Sequence, residues 1–348
     1  MSINRTAITR RTLLGSAVGL STAALLAGCA KKGGAASVSD TGILNVGQIS
    51  DSVAFFPLHV AEQQGFFEAN GVKLGERPRL GTGAKLAAAL KSGAIDLAAG
   101  VTTDAFNLYE VDKTARLTAG LVTEYYVDVV VGNDFAGPAE QAPLNDRVSA
   151  LVGKKIGITG PGSGTEALLV HLFQQIGKDA NKDATLVNLG AATTAAVGAL
   201  KSKQVDALSF FQPIGQVAAG EGTGKIYISP QRGDVPSLAG VVHGCVFSTT
   251  AVLDAKKTMV DGFNKSMDQA LQFIRQDKDT TRTLLKSYLQ GTPDGVIDSL
   301  LALLPEEMSA SHAISQAAYD KSKDFHMQTG LAKNPPDFAT FVPQASQA

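Results

Sequence analysis

Short apolar runs alternate with longer amphipathic segments along this chain from Leu44 onward. The apolar runs have the length of buried strands, and the amphipathic segments have the length of crossover helices. The first pair is the run 43–49, followed by a helix that Pro57 opens and Gly65 ends. The alternation predicts an α/β protein in which helices join the strands and cover the faces of a sheet.

Two segments indicate that the chain crosses twice between two α/β lobes. Residues 133–147 are polar and carry two prolines, which is typical of a domain boundary, and the apolar run 241–247 leads into a mostly helical remainder. We therefore predict that residues 43–131 and 246–348 form lobe 1 and that residues 132–245 form lobe 2. Two lobes joined twice enclose a cleft that opens and closes at a hinge.

The first 28 residues indicate an export signal. Three arginines and no acidic residue precede an apolar run, Leu13 to Ala27, that is too short to span a bilayer. Thr9-Arg10-Arg11-Thr12-Leu13-Leu14 resembles a twin-arginine signal, and Leu26-Ala27-Gly28-Cys29 resembles a lipobox. We expect cleavage after residue 28, a lipid on Cys29, and a flexible tether over residues 29–42.

Charge and cysteine content narrow the functional classes. The formal net charge is −1, and no basic stripe is interleaved with aromatic residues, so we expect no nucleic-acid partner. The chain has 2 cysteines, Cys29 and Cys245, so a lipid on the first leaves no intramolecular disulfide. Cys245 lies in an apolar run, and we expect it to be a small buried residue.

Four short motifs fall in a characteristic order along the chain. They are Gly65-Phe66-Phe67-Glu68 with Gly71-Val72, the element from Leu90 to Asp96, Leu151-Val152-Gly153-Lys154-Lys155-Ile156-Gly157, and Val205-Asp206-Ala207. In order and spacing they resemble the nitrate/sulfonate/taurine family of substrate-binding proteins of ABC transporters, the NMT1-like proteins included.

This resemblance implies a fold, a location and a set of partners. It implies a type II periplasmic-binding-protein fold with the ligand in the cleft between the lobes. It also implies a monomer without a cofactor that serves an ABC permease and its ATPase, held by its lipid at the outer face of the cell membrane or in the periplasm. The ligands it implies are small anions such as sulfonates, taurine or nitrate.

Loops at the carboxyl ends of the predicted strands supply the candidate ligand contacts, because an open α/β sheet binds its ligands there. Hydroxyl residues and glycines before helices also act as simple caps, and an aromatic pair after a strand can be core. The candidate contacts are Ser50, Asp51, Phe55, Phe56, Gly81, Thr82, Thr102, Thr103, Tyr125, Ser163, Gly164, Thr165 and Gln212.

The candidate loops leave the charge of the ligand open. They contain no arginine, so an anion would be held by backbone amides and hydroxyls at helix N-termini. A neutral aromatic or heterocyclic ligand, such as a thiamin-precursor pyrimidine, is the alternative, because the aromatic residues suit a planar body.

Enzyme signatures are missing from the sequence. The loop 160–165 lacks the lysine that a phosphate-binding loop needs, and Ser163 lacks the flanking glycines of a hydrolase elbow. The 5 histidines have no metal-ligand spacing, and one free cysteine cannot build the iron motif of relatives that make the thiamin pyrimidine. We therefore expect no catalytic residue and no metal, and a ligand-presenting sensor module is the remaining alternative to a transport role.

Overall fold

The computed structural model describes residues 42–348, which form two β-sheets with helices packed around them. The expected α/β class with two lobes is thereby confirmed. The strands are β1 (Val46–Gln48), β2 (Leu97–Val101), β3 (Ala115–Gly120), β4 (Val127–Gly132), β5 (Lys155–Ile158), β6 (Thr185–Asn188), β7 (Ala207–Phe211), β8 (Gly224–Ile228) and β9 (Gly244–Thr249).

Helices connect the strands and make up most of the chain after β9. They are α1 (Phe56–Gln63), α2 (Phe66–Ala69), α3 (Gly83–Ser92), α4 (Thr102–Val111), α5 (Leu144–Ser149), α6 (Gly164–Gln175), α7 (Ala180–Asp183), α8 (Thr193–Lys201), α9 (Ile214–Gly220), α10 (Thr250–Ala255), α11 (Lys257–Gln276), α12 (Lys278–Tyr288), α13 (Asp294–Glu307), α14 (Gln316–Gln328) and α15 (Phe338–Phe341). Within the described residues, no helix combines the length and the apolar character needed to cross a bilayer.

The first sheet has the strand order β1-β2-β9-β3, and the second has the order β6-β5-β7-β4-β8. Strands β1 and β2 are parallel, as are β6, β5 and β7. The two strands that follow a crossing, β4 and β9, are antiparallel to their neighbours. The parallel strands of each lobe therefore end at one edge, where the loops to α3, α4 and α6 also lie.

The crossings lie earlier than the sequence indicated. Residues 127–131 were predicted in lobe 1, but β4 pairs with β7 and β8 of the second sheet. Likewise, Gly244 and Cys245 were predicted in lobe 2 but belong to β9 in the first sheet. The segment 121–126 that joins the sheets is mostly buried and apolar, so it has no linker-like composition, and the proline-bearing stretch follows β4 as a surface loop.

A buried ion pair anchors the helical remainder to the first sheet. Lys256, between α10 and α11, places its Nζ 2.8 Å from Asp96 Oδ2 and donates to the Ile43 carbonyl at 2.8 Å. The Asn45 amide donates to the same carboxylate at 2.7 Å. Lys256 Nζ and Asp96 Oδ2 thus have two partners each, which offsets the cost of removing the pair from water.

Cys245 is buried and carries a free thiol, as its apolar surroundings predicted. The predicted signal segment and its lipid attachment site, Cys29, lie outside the described residues, as does all of the tether before residue 42.

Candidate ligand-binding cavity

A cavity of about 760 Å³ lies between loops of the two lobes. Lobe 1 contributes residues 49–50, after β1, residues 81–84, after the segment in which Arg79 bridges Gln48 of β1 in parallel, and residues of α3 and α4. Lobe 2 contributes residues 159–165, after β5, and residues 190–191, after β6. These loops follow the carboxyl ends of parallel strands, which is where open α/β sheets bind their ligands, and the volume is typical of a small-molecule site.

Part of the candidate set from the sequence is brought together in this cavity. The lining includes six of the predicted residues, namely Ser50, Gly81, Thr82, Ser163, Gly164 and Thr165. They come from both lobes, because the alternation of strands and helices identified the loops at the correct ends of the strands.

Two hydroxyl groups of this set, those of Thr82 and Ser163, also cap helices. Thr82 accepts the Lys85 amide at 3.3 Å at the start of α3, and Ser163 accepts the Glu166 amide at 3.4 Å at the start of α6. The Thr165 hydroxyl accepts the Thr159 amide at 3.0 Å. Both interpretations given to these loops therefore apply, since Thr82 and Ser163 cap helices and also line the cavity.

Three predicted contacts do not line the cavity. Phe55 and Phe56 face the protein interior, and Asp51 faces another cleft. Phe55 and Phe56 are 0% exposed and belong to the core, where the Phe56 ring centroid lies 5.7 Å from that of Tyr288. Arg79 Nε donates a hydrogen bond to Asp51 Oδ1 at 2.6 Å, and Asp51 lines a cleft separate from this cavity. The loop after β1 turns directly into a helix, which directs its aromatic side chains inward.

Thr102 and Thr103 do not line the cavity, because α4 begins at Thr102 and turns both side chains into the protein. The Thr102 hydroxyl donates to the Val242 carbonyl at 2.6 Å, and the Thr103 hydroxyl donates to His326 Nε2 at 2.7 Å. Both threonines thus tie α4 to neighbouring segments.

Tyr125 and Gln212 lie behind the cavity wall. The Tyr125 hydroxyl donates to the Gly164 carbonyl at 2.5 Å, and its ring stacks on His243 with a centroid distance of 3.9 Å. The Gln212 amide donates to Glu307 Oε1 at 2.8 Å. Both residues position other groups instead of facing the cavity.

Asp104 is a cavity residue that the sequence analysis missed. It lies in the first turn of α4, is 7% exposed, and accepts the Val101 amide on Oδ2 at 3.1 Å. Burial raises the pKa of this carboxyl to about 6, and the Val101 hydrogen bond opposes that rise. An acid in the first turn of a helix is an ordinary cap in sequence, so only the tertiary fold distinguishes this one.

His243 is a second missed residue. It lies just before β9, lines the cavity, and is 1% exposed. Burial lowers the pKa of its imidazole well below the usual value, so the ring is neutral at physiological pH. Its Nδ1 has no hydrogen-bond partner within residues 42–348.

Polar and aromatic side chains complete the lining from both lobes. Asn107 of α4 donates to the Gly162 carbonyl at 3.3 Å, which is a hydrogen bond from lobe 1 to lobe 2. Asn188 adds a second amide, and Tyr126 and Phe211 add aromatic surface. Such a wall suits a small organic molecule with a planar body and a few polar atoms.

The chain has relatives of known structure. The model of the NMT1-like family matches residues 43–288. No curated protein matches the chain. The alkanesulfonate-binding protein SsuA from Xanthomonas axonopodis pv. citri, bound to MOPS, is 20% identical, with 85% of this chain and 96% of that chain covered and a TM-score of 0.69.

Two further structures show the same fold. The periplasmic aliphatic sulphonate binding protein SsuA from Escherichia coli is 17% identical over 87% of this chain and 98% of that chain, with a TM-score of 0.66. The periplasmic nitrate-binding protein NrtA from Synechocystis PCC 6803 is 16% identical over 74% of this chain and 69% of that chain, with a TM-score of 0.60. These likenesses confirm the periplasmic-binding-protein fold. Because the family model covers well over half of the sequence, the chain belongs to the NMT1-like family.

Proposed function

We propose that this protein is the extracytoplasmic solute-binding component of an ABC importer, which captures a small molecule in the cavity between its lobes and delivers it to a membrane permease and ATPase. The observation that carries the proposal is the cavity itself, which lies at the strand ends of both lobes. The neighbours named above, which are binding proteins for sulfonates and nitrate, support the same function.

The position of the cavity supports a capture mechanism by closure. A ligand that contacts α4 of lobe 1 and the loop before α6 of lobe 2 gains contacts from both lobes only when they approach each other. The chain between the sheets runs through 121–126 and 241–243, so a small rotation there opens and closes the cavity. A permease that recognises the closed form would then distinguish loaded from empty protein.

Export and anchoring form part of the same proposal. The twin-arginine-like and lipobox-like motifs support secretion and a diacylated Cys29. A lipid at this residue, followed by a tether, would hold the binding protein at the outer face of the membrane beside its permease.

The state of the lining hydroxyls supports binding without catalysis. The Ser163 hydroxyl lies 2.7 Å from the Thr165 hydroxyl and accepts a backbone amide, so it is engaged in capping and not paired with a general base. The neutral His243 stacks on Tyr125, which fixes its ring as part of the wall.

Two ligand classes fit different features of the cavity. An oxyanion, as bound by the sulfonate- and nitrate-binding neighbours, fits the N-termini of α3 and α6. A neutral heterocycle fits the aromatic and apolar lining and the buried carboxylate of Asp104.

The transport function is tested by filling the cavity. Ala88 of α3 is exposed and lines the cavity, so Ala88→Trp should abolish ligand binding in calorimetry and ligand-dependent stabilisation in thermal unfolding. Ala302→Trp, on the exposed side of α13 and outside this cavity, is the matched control and should bind normally.

Uptake separates transport from sensing. A deletion strain complemented with the wild type or with Ala302→Trp should take up the ligand, and the same strain with Ala88→Trp should not. Normal uptake in the deletion strain, with binding intact in the purified protein, would assign the chain to a ligand-presenting sensor module instead.

A further inference from the structure

Two helices of lobe 1 reach across the boundary between the lobes. Helix α13 packs against α9 of lobe 2, and helix α14 packs against α6 of lobe 2. Among the described residues, the cavity lining includes none from α9, α13 or α14. These two helix contacts therefore connect the lobes outside the site at which a solute would bind.

The contact between α13 and α9 is close and apolar. Val296 of α13 is 4% exposed, and a Cβ on Gly220, the last residue of α9, would lie 2.7 Å from its Cγ2. Val217 of α9 belongs to the same hydrophobic cluster as Val296 and Ile297. Separation of α13 from α9 would expose these side chains to water, which is unfavourable.

The other end of α13 is held by hydrogen bonds. Gln212 of lobe 2 donates to Glu307 Oε1 at 2.8 Å, and both residues are buried. The Thr123 amide of the first crossing donates to the Glu307 carbonyl at 3.0 Å. The Ser309 amide donates to the Leu121 carbonyl of the same crossing at 2.9 Å. Helix α13 is thus held to lobe 2 at both of its ends.

The contact between α14 and α6 is aromatic and lies beside both crossings. Phe325 of α14 is buried in the hydrophobic cluster of lobe 2. Its ring centroid lies 5.3 Å from that of His171 of α6 and 5.0 Å from that of Tyr125 in the first crossing. The Ser322 hydroxyl donates to the Val242 carbonyl of the second crossing at 2.8 Å. Helix α14 is therefore tied to lobe 2 and to both crossings.

The cavity side of the boundary is held differently. There Asn107 of lobe 1 is exposed and donates to the Gly162 carbonyl of lobe 2 at 3.3 Å. Water replaces an exposed hydrogen bond at little cost, whereas separation of the helix contacts would uncover apolar surface. The lobes should therefore part at the cavity and stay together at α13 and α14.

We propose that α13 and α14 stay docked on lobe 2 while the cavity opens and closes, so that the lobes rotate about the line that joins the two helix contacts. This inference rests on the closure described under the proposed function. It identifies the parts of the boundary that do not separate, which the crossings alone would leave free to move.

The first test joins α9 to α13 by a disulfide. Gly220→Cys with Val296→Cys, in a soluble Cys29→Ser background, brings two sulfur atoms within bonding reach, because a Cβ at position 220 lies beside Val296. Cys245 is buried and should not compete for pairing. The bond should form without any solute, and small-angle scattering should give the same radius of gyration for the oxidised and reduced forms.

Gly198→Cys with Val296→Cys, in the same background, is the matched control. Gly198 also lies in a helix of lobe 2, but a Cβ there has nothing within 4 Å. This pair should remain reduced under the oxidant that joins the first pair completely.

The second test holds the cavity closed without a solute. A short bismaleimide between Asn107→Cys of lobe 1 and Pro161→Cys of lobe 2 joins exposed positions on the two sides of the cavity. The cross-linked protein should be more compact than the same protein before cross-linking. Hydrogen exchange of the amides in α6, α9, α13 and α14 should stay within about twofold between the two forms, because these contacts persist.

Each contrary outcome overturns the proposal. A disulfide between α9 and α13 that makes the protein more compact, or that fails to form, means that this contact exists in only part of the cycle. Amide exchange in the four helices that rises more than about tenfold on cross-linking means that closure separates them. An unchanged radius of gyration on cross-linking means that no rotation exists.

Failure of solute capture is recognised separately. Ala88→Trp fills the cavity without altering α13 or α14, so its effect on binding and uptake does not depend on where the lobes rotate.

Discussion

Glu307 provides a quantitative test of how burial controls the stability of this protein. It ends α13, is 2% exposed, and accepts the Gln212 amide on Oε1 at 2.8 Å, while Oε2 has no partner within the described residues. Burial raises the pKa of this carboxyl from 4.5 to about 8. The Gln212 hydrogen bond opposes the rise, and the nearby carboxylates of Asp128 and Glu124 add to it.

The sign of the effect follows from the direction of the shift. The folded state favours the neutral carboxyl, so stability falls as the pH rises from the ordinary pKa of 4.5 to the folded pKa of about 8, and the loss is complete above that. Each pH unit in this window costs up to about 1.4 kcal/mol of unfolding free energy. Between about pH 5 and about pH 7.5 the wild type should therefore lose at most about 3 kcal/mol through this group.

The Glu307→Gln substitution removes the titration and keeps an oxygen that accepts the Gln212 amide. The unfolding free energy of the variant relative to the wild type, measured in urea at about pH 5 and about pH 7.5, should increase by up to about 3 kcal/mol between the two conditions. Glu306→Gln, at an exposed neighbouring position, is the matched control. A stability difference between Glu307→Gln and the wild type that is the same at both pH values would refute the reasoning.

Three further predictions concern anchoring, closure and capping. Cys29→Ser should move the protein from the membrane fraction to the soluble fraction, and continued membrane association would contradict the lipobox interpretation. Small-angle scattering should show a smaller radius of gyration with bound ligand, whereas identical curves would exclude closure. Ser163→Ala should lower the unfolding free energy by about 1 kcal/mol through loss of the α6 cap, as measured in urea, and an unchanged midpoint would contradict that role.

The alternation of apolar runs and amphipathic segments was enough to predict the α/β class, the two lobes and the loops that line the cavity. The reason is local: a buried strand and a crossover helix each need a characteristic pattern over a few residues, and the carboxyl end of a parallel strand is identifiable from its place in that pattern. Ser50, Gly81, Thr82 and the loop 163–165 line the cavity for this reason.

Lobe membership of the crossing strands was decided by pairing over long sequence distances. Strand β4 belongs to the second sheet because it pairs with residues 207–211 and 224–228, and nothing in its own sequence specifies these partners. An apolar strand satisfies the same burial requirement in either lobe, so its pattern could not distinguish them.

The direction of side chains was likewise a property of the tertiary structure. Phe55 and Phe56 turn into the core, whereas Asp104, which reads as a routine helix cap, faces the cavity because Gly83 and Gly100 leave space for its carboxylate. The local sequence determines that an acid begins α4. Whether its carboxylate meets water, protein or a ligand depends on what the neighbouring strands and the other lobe bring beside it, because burial and unpaired hydrogen-bonding groups arise only when distant segments pack together.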